Sequence, residues 1–176
     1  ILKESSLDLK ISGIEASPTS SYYRNKMEFT FGDEYKDGPL ALGMHKKGKF
    51  YEIENVENCN IADGDFTKIL SGVLDYFKTT DLTFYNKRYH VGSLRHLIVR
   101  KSLTRGEILV NLVSSSQGEI DIEEFKQVLL GLDLEGEIAG VLHTINDNVA
   151  DVVKVEELRL VYGKDYIVEV ICGLEF

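Results

Sequence analysis

The stretch Tyr22-Tyr23-Arg24-Asn25-Lys26-Met27-Glu28-Phe29-Thr30-Phe31-Gly32 leaves this part of the chain few options, because apolar and charged side chains alternate along it at period two. Such a segment folds as a half-buried strand. Met27, Phe29 and Phe31 then point into a core, while Arg24, Lys26, Glu28 and Thr30 face the other way, where cations can meet a polyanion.

The 176 residues are 43% hydrophobic with only two prolines, enough to bury one substantial core with no long linker. One compact domain is expected. No run approaches the ~20 apolar residues of a membrane helix, and no basic segment followed by an apolar block marks a secretory leader. These readings point to a cytoplasmic protein with no membrane partner. Cys59 and Cys172 stand far apart in unlike contexts, which excludes a disulfide framework or a complete metal cluster. The chain starts at Ile1 and stops at Phe176 directly after a strand-like run, as an excised piece of a longer protein would.

The net charge of −9 conceals an asymmetry. Residues 22–105 hold fourteen basic and eleven acidic side chains, whereas residues 106–176 hold four and fifteen. Binding of a polyanion depends on the local field, so the first half can serve it despite the overall charge. The acidic half is a solubilising face or a surface for another partner.

Periodicity orders the rest. Leu40–Met44 and Phe50–Ile53 read as short strands joined across the basic tip His45-Lys46-Lys47-Gly48-Lys49. Phe66, Ile69, Leu70, Val73, Leu74 and Phe77 recur at helical spacing, with Asp63 and Asp65 as candidate caps, so residues 65–78 form an amphipathic helix. Leu94–Arg100 and Glu107–Val113 flank Leu103-Thr104-Arg105-Gly106 and should pair antiparallel. Asp121 and Glu124 form a capping-box pattern ahead of the stripe Ile122, Phe125, Leu129 and Leu132, a second helix. Ile138–Thr144, Glu157–Tyr162 and Tyr166–Leu174 complete the strands, the last two joined at Gly163-Lys164. The sum is an α+β fold, a mostly antiparallel sheet backed by two helices.

Nothing in this pattern is a self-contained catalytic machine. Gly136 and Gly140 frame a strand rather than the strand-to-helix turn of a phosphate loop, and Ser114-Ser115-Ser116-Gln117-Gly118 reads as a polar loop. His45, His90, His96 and His143 lack the spacing of metal ligands, which favours structural or surface roles. Cys59 reads first as a small buried hydrophobe and only second as a ligand; Cys172 alternates with Val170 and Leu174 and reads as core. Asn146-Asp147-Asn148 reads as a tight turn with side-chain-to-backbone hydrogen bonds, or secondarily as a polar binding loop.

The basic groups recur on neighbouring elements: Arg24 and Lys26; Lys46, Lys47 and Lys49; Lys87 and Arg88; then Arg95, Arg100, Lys101 and Arg105. With Tyr22, Tyr23, Phe84, Tyr85 and Tyr89 they could hold phosphates by charge and unstacked bases by aromatic contact. A solvated face over an ordinary core accounts for the same residues.

The segments Ser20-Ser21-Tyr22-Tyr23-Arg24-Asn25-Lys26-Met27-Glu28-Phe29, Leu42–Gly48, Leu94–Arg100, Gly106–Val113, Leu142–Asp147 and Leu160–Ile167 occur in an order that resembles RNA (uracil-5-)-methyltransferases of the RumA type. The likeness spans almost the whole chain and corresponds to the central region of that family. It implies a parent enzyme that uses S-adenosylmethionine to methylate C5 of a uridine in ribosomal RNA. In that chemistry a Cys adds to C6 of the flipped-out base, the enolate takes the methyl group, and a carboxylate removes the C5 proton. The Ser-Phe-Phe-Gln-Thr-Asn-like segment, cofactor loop, catalytic Cys and Glu of the family have no counterpart here, nor has its N-terminal OB-like domain, so residues 1–176 by themselves are expected to be inactive and cofactor-free. Many members hold an iron–sulfur cluster, and Val56-Glu57-Asn58-Cys59 resembles its fourth-ligand position, which makes Cys59 an orphaned ligand of a possible 4Fe-4S cluster in the parent. The resemblance makes ribosomal RNA, not DNA, the expected partner of a monomer. Arg24 and Lys26, followed by Arg95, His96 and Arg100, are the expected RNA contacts. The alternative is a non-catalytic module that docks a protein through its acidic C-terminal half.

Overall fold

A computed structural model describes residues 12–49, 51–56, 59–149 and 156–176. Phe50 of the expected basic hairpin, and Glu57 and Asn58 of the Val56–Cys59 segment, lie outside the described residues. Strand β1 (Lys26–Asp33) leads to β2 (Leu40–His45) and the short β3 (Ile53–Glu54), then to helix α1 (Gly64–Lys78). β4 (Leu94–Lys101), β5 (Glu107–Ser114), α2 (Ile122–Leu130), β6 (Glu137–Ile145) and β7 (Glu157–Gly163) follow, and β8 (Val170–Ile171) with β9 (Leu174–Glu175) ends the chain.

Seven strands form one sheet in the order β3-β2-β1-β4-β5-β6-β7. Every pairing in it is antiparallel except β5 with β6, which run parallel. That exception has a covalent cause: the connection between them is long enough to carry α2 across the sheet, so β6 starts again from the end where β5 began. The expected α+β fold, mostly antiparallel with two helices, is the observed one.

One face of the sheet packs under the helices. Met27, Phe29 and Phe31 of β1 join Leu97 and Val99 of β4, Val110 and Leu112 of β5, the apolar stripe of α1, and Phe125 and Leu129 of α2 in a single core. Phe77 is its hinge between layers, edge-on to Phe31 at 5.4 Å and 5.8 Å from Phe125. Each helix start is capped as its sequence requires. Asp63 accepts from the Asp65 N–H at 2.9 Å, and Asp121 accepts from the Glu124 N–H at 2.8 Å.

The C-terminal segment departs from expectation. Tyr166–Leu174 is not a strand beside β7; it breaks into the small β8–β9 hairpin, whose turn places Cys172 at φ 51 and Gly173 at φ 81. Two left-handed residues in succession are what such a turn requires, and Cys172 is exposed rather than core. Side chains have taken the place of ladder partners. Glu107 accepts from the Val168 N–H and from Lys164 Nζ, both at 2.8 Å, and Glu169 accepts from the Leu103 N–H at 2.7 Å. These bonds tie the tail to the β4–β5 turn and leave β7 at the edge of the sheet. Among the described residues no helix is long and apolar enough to cross a membrane.

Candidate nucleic-acid interface

The antiparallel register of β1 and β4 sets Lys26 opposite Arg100, Glu28 opposite Ile98 and Thr30 opposite His96. Because the intervening residues Met27, Phe29, Leu97 and Val99 belong to the core, these three pairs lie on the face turned away from the helices. Lys26 and Arg100 are both exposed. Lys26 has Glu28 as a neighbour at 3.9 Å, a contact between two well-solvated groups that restrains it little. Arg24, also exposed, precedes the strand; its backbone N–H is held by the Ile61 carbonyl at 2.9 Å.

Arg95 and His96 are placed otherwise. The register between β4 and β5 shifts between Leu94 and His96, and both consecutive side chains end up buried, with 3% and 4% of their surface exposed. Arg95 Nη1 donates to the carbonyl oxygens of Asn146 at 2.9 Å and Asn148 at 2.8 Å, and its guanidinium sits over the Tyr85 ring. His96 Nδ1 lies 3.4 Å from Thr30 Oγ1. Their expected role as surface contacts for RNA does not fit this burial. Arg95 instead positions Tyr85 and the 146–148 turn, whose Asn146 Oδ1 also accepts from the Asn148 N–H at 3.0 Å.

Other members of the basic set are committed to carboxylates. Lys101 Nζ lies 2.8 Å from both Asp63 and Asp65, and the fully buried Asp65 side chain also accepts from the backbone N–H groups of Glu135 and Gly136. Burial pushes the Asp65 carboxyl up, but the Lys101 hydrogen bond and those N–H donors outweigh it and hold its pKa below the ordinary value. Burial pulls the Lys101 ammonium down, and bonding to Asp63 and Asp65 more than reverses it. Arg105 pairs with Glu175. Lys49 and Lys46 flank Glu52 at 2.8 and 3.6 Å, and the Lys49 hydrogen bond lowers the Glu52 pKa.

At the Thr30 end of the open strip lies a groove of about 600 Å³, walled on one side by Lys49 and Tyr51 and on the other by Tyr85, Lys87, Arg88 and Tyr89. The second wall is a built turn. Asn86 Oδ1 accepts from the N–H groups of Arg88 at 3.0 Å and Tyr89 at 3.2 Å, while the Asn86 N–H donates to Val91 O at 2.7 Å. The chain leaves it through His90 at φ 56 and Gly92 at φ 111, where a Cβ would lie 2.1 Å from Phe84 O, so glycine is required. Gln117 clamps the exit, donating to His90 O at 2.8 Å and accepting from the Gly92 N–H at 3.1 Å. Sequence reasoning grouped Lys87, Arg88 and Tyr89 but missed Tyr51, in the turn before β3, and Asp33, at the end of β1, which line the same groove. Burial raises the Asp33 carboxyl above its ordinary value despite the hydrogen bond it accepts from the Asp37 N–H, and the Asp37 charge adds to the rise.

Among the described residues no three His, Cys, Asp or Glu side chains are placed to hold a metal ion, and Cys59 packs against the core, so an iron–sulfur cluster does not fit the thiolates of this chain. Ser114 Oγ and His143 Nε2 are 2.8 Å apart, yet both residues are at least 96% buried, which closes them to a substrate. Nor does the β5-to-α2 loop suit S-adenosylmethionine. A Cβ on Gly118 would lie 2.0 Å from Ser93 Oγ, Ser115 Oγ donates to Gly92 O, and the Ser116 N–H is taken by Asp147.

No family model matches the sequence. Over 174 residues it is 46% identical to an uncharacterized RNA methyltransferase of Clostridium acetobutylicum, covering 96% of this chain and 38% of that protein. It is 43% identical over 177 residues to one of Clostridium tetani, covering all of this chain and 39% of the relative. The chain therefore spans well under half the length of these relatives. In fold it is similar to the Pyrococcus abyssi tRNA (uracil-54, C5)-methyltransferase, solved in complex with S-adenosyl-L-homocysteine, with a TM-score of 0.68 at 17% identity over 91% of this chain and 36% of that one. The chain is thus a homologue of one region of the RNA methyltransferases, the kinship that its motifs implied.

Proposed function

We propose that this chain is the central, RNA-contacting segment of an S-adenosylmethionine-dependent enzyme that methylates C5 of uridine in ribosomal RNA in the cytoplasm, the cofactor and the catalytic Cys and Glu being supplied by other parts of the parent. The observation that supports this most is the placement of Lys26 directly across from Arg100 on the open face of a sheet, within a chain homologous to RNA methyltransferases. Opposed cations on a rigid ladder offer phosphates a fixed pair of contacts, with exposed Arg24 extending the row. Cys59 keeps a ligand role only if the parent supplies three more thiolates.

Titration of ribosomal RNA fragments with the chain across a salt series tests the reading. Affinity should fall steeply as salt rises, and absence of binding at low salt would overturn it.

One observation favours a second reading, a docking module in the acidic half. Edge strand β7 exposes Leu158, Leu160 and Tyr162 beside Glu157. Absence of RNA binding at low salt would turn the interpretation toward it.

A further inference from the structure

The groove between the β2–β3 hairpin and the 86–91 turn combines features that the Lys26–Arg100 strip lacks. Tyr51 and Tyr89 on its walls expose 70% and 66% of their surfaces. These two exposed rings come from separate elements and line one recess, Tyr89 with the Arg88 guanidinium 5.6 Å from its centroid. Tyr85 in the same wall as Tyr89 is buried and covered by the Arg95 guanidinium at 4.2 Å, so that part of the lining is rigid. Lys87 and Arg88 stand on the tip of a turn whose backbone is fixed by Asn86 and Gln117, which places their charges at little further entropic cost. A volume of about 600 Å³ suits one small-molecule-sized group.

We propose that this groove receives one unstacked nucleotide of single-stranded RNA, its base against the rings of Tyr51 and Tyr89 and its phosphates beside Lys87 and Arg88. Aromatic faces accept any base, and the Asp33 carboxyl in the lining offers an acceptor to a base edge that carries N–H groups. A peptide would instead look for aliphatic anchors or an open strand edge, and this recess is lined by tyrosines and cations. The site extends the strip, since Thr30 ends the row opposite His96 and also lines the groove. The inference rests on the RNA-contacting reading above.

The test uses the chain itself with a fluorescein-labelled ten-nucleotide single-stranded RNA and a hairpin duplex of the same composition, followed by anisotropy. Tyr51→Ala and Tyr89→Ala should each weaken single-strand binding roughly tenfold, Tyr89→Phe should retain it, and duplex binding should not change. Both tyrosines are exposed, and circular dichroism checks that the variants stay folded. Replacing one uridine by 5-iodouridine and irradiating should place the crosslink on Tyr51 or Tyr89. If the alanine variants bind the single strand like the parent while Lys26→Glu abolishes binding, the groove assignment falls and the RNA reading stands. If the unaltered chain binds neither RNA at low salt, both fall.

Discussion

The guanidinium carbon of Arg95 lies 4.2 Å from the centroid of the Tyr85 ring, while Nη1 of the same side chain donates to two carbonyl oxygens of the 146–148 turn. A planar guanidinium lies flat on the ring while its in-plane N–H groups donate along fixed directions; a lysine ammonium is a point charge without that fork. Arg95→Lys should therefore lower stability by about 1–3 kcal/mol, because buried carbonyls lose donors and Tyr85 loses its cover. The check is the urea midpoint at an unchanged m-value, and an unaltered midpoint would refute it.

Lys101 is the counter-ion of a carboxylate that has no solvent at all, since the Asp65 side chain is fully buried. Lys101→Met leaves that charge with its two backbone donors only, and a loss of roughly 3–5 kcal/mol is expected by denaturant unfolding. The pH dependence has two arms. The lowered Asp65 pKa contributes stability that is present above its ordinary value of 3.8 and is lost as pH falls through the folded value. The raised Lys101 pKa contributes stability that is complete below 10.5 and is lost as pH rises through the folded value.

His143 predicts a change at milder pH. Burial, aided by the Arg159 charge, pulls its imidazole below the ordinary 6.5, and its buried Nδ1 finds no hydrogen-bond partner among the described residues. The unfolded chain thus takes up this proton before the folded one does, so unfolding free energy should decline as pH drops below about 6.5. Replacing the ring by His143→Gln should flatten that decline in thermal melts between pH 7 and pH 5.

Charge removal on the open strip should be read as a slope rather than a single affinity. Lys26→Ala or Arg100→Ala should each reduce the dependence of log affinity on log salt by about 0.7–0.9 for single-stranded or duplex RNA, with no change in melting temperature beyond about 1 °C. Lys101→Ala should show the reverse, a stability loss with little direct effect on the slope, because its charge is already spent on Asp63 and Asp65.

Much of the layering was readable before any coordinates. Met27, Phe29 and Phe31 are buried where alternation put them, α1 buries the stripe from Phe66 to Phe77, and Asp63 and Asp121 cap where their positions require. Such features are local: a period or a cap depends on residues within a few positions of one another. Tyr166–Leu174 misled because alternation alone does not say what a strand will pair with, and Glu107 and Glu169 took its backbone donors instead.

From its order of residues alone the chain determined an α+β domain, its two helices, most of its strands, and kinship with RNA methyltransferases. Only the tertiary structure decided which cations are available. Arg95 and His96 are buried where β4 shifts register, Asp65 claimed Lys101, and bringing Tyr51 and Tyr89 to one groove required segments far apart in sequence. Exposure and convergence are sums over contacts between distant segments, and no local period encodes them.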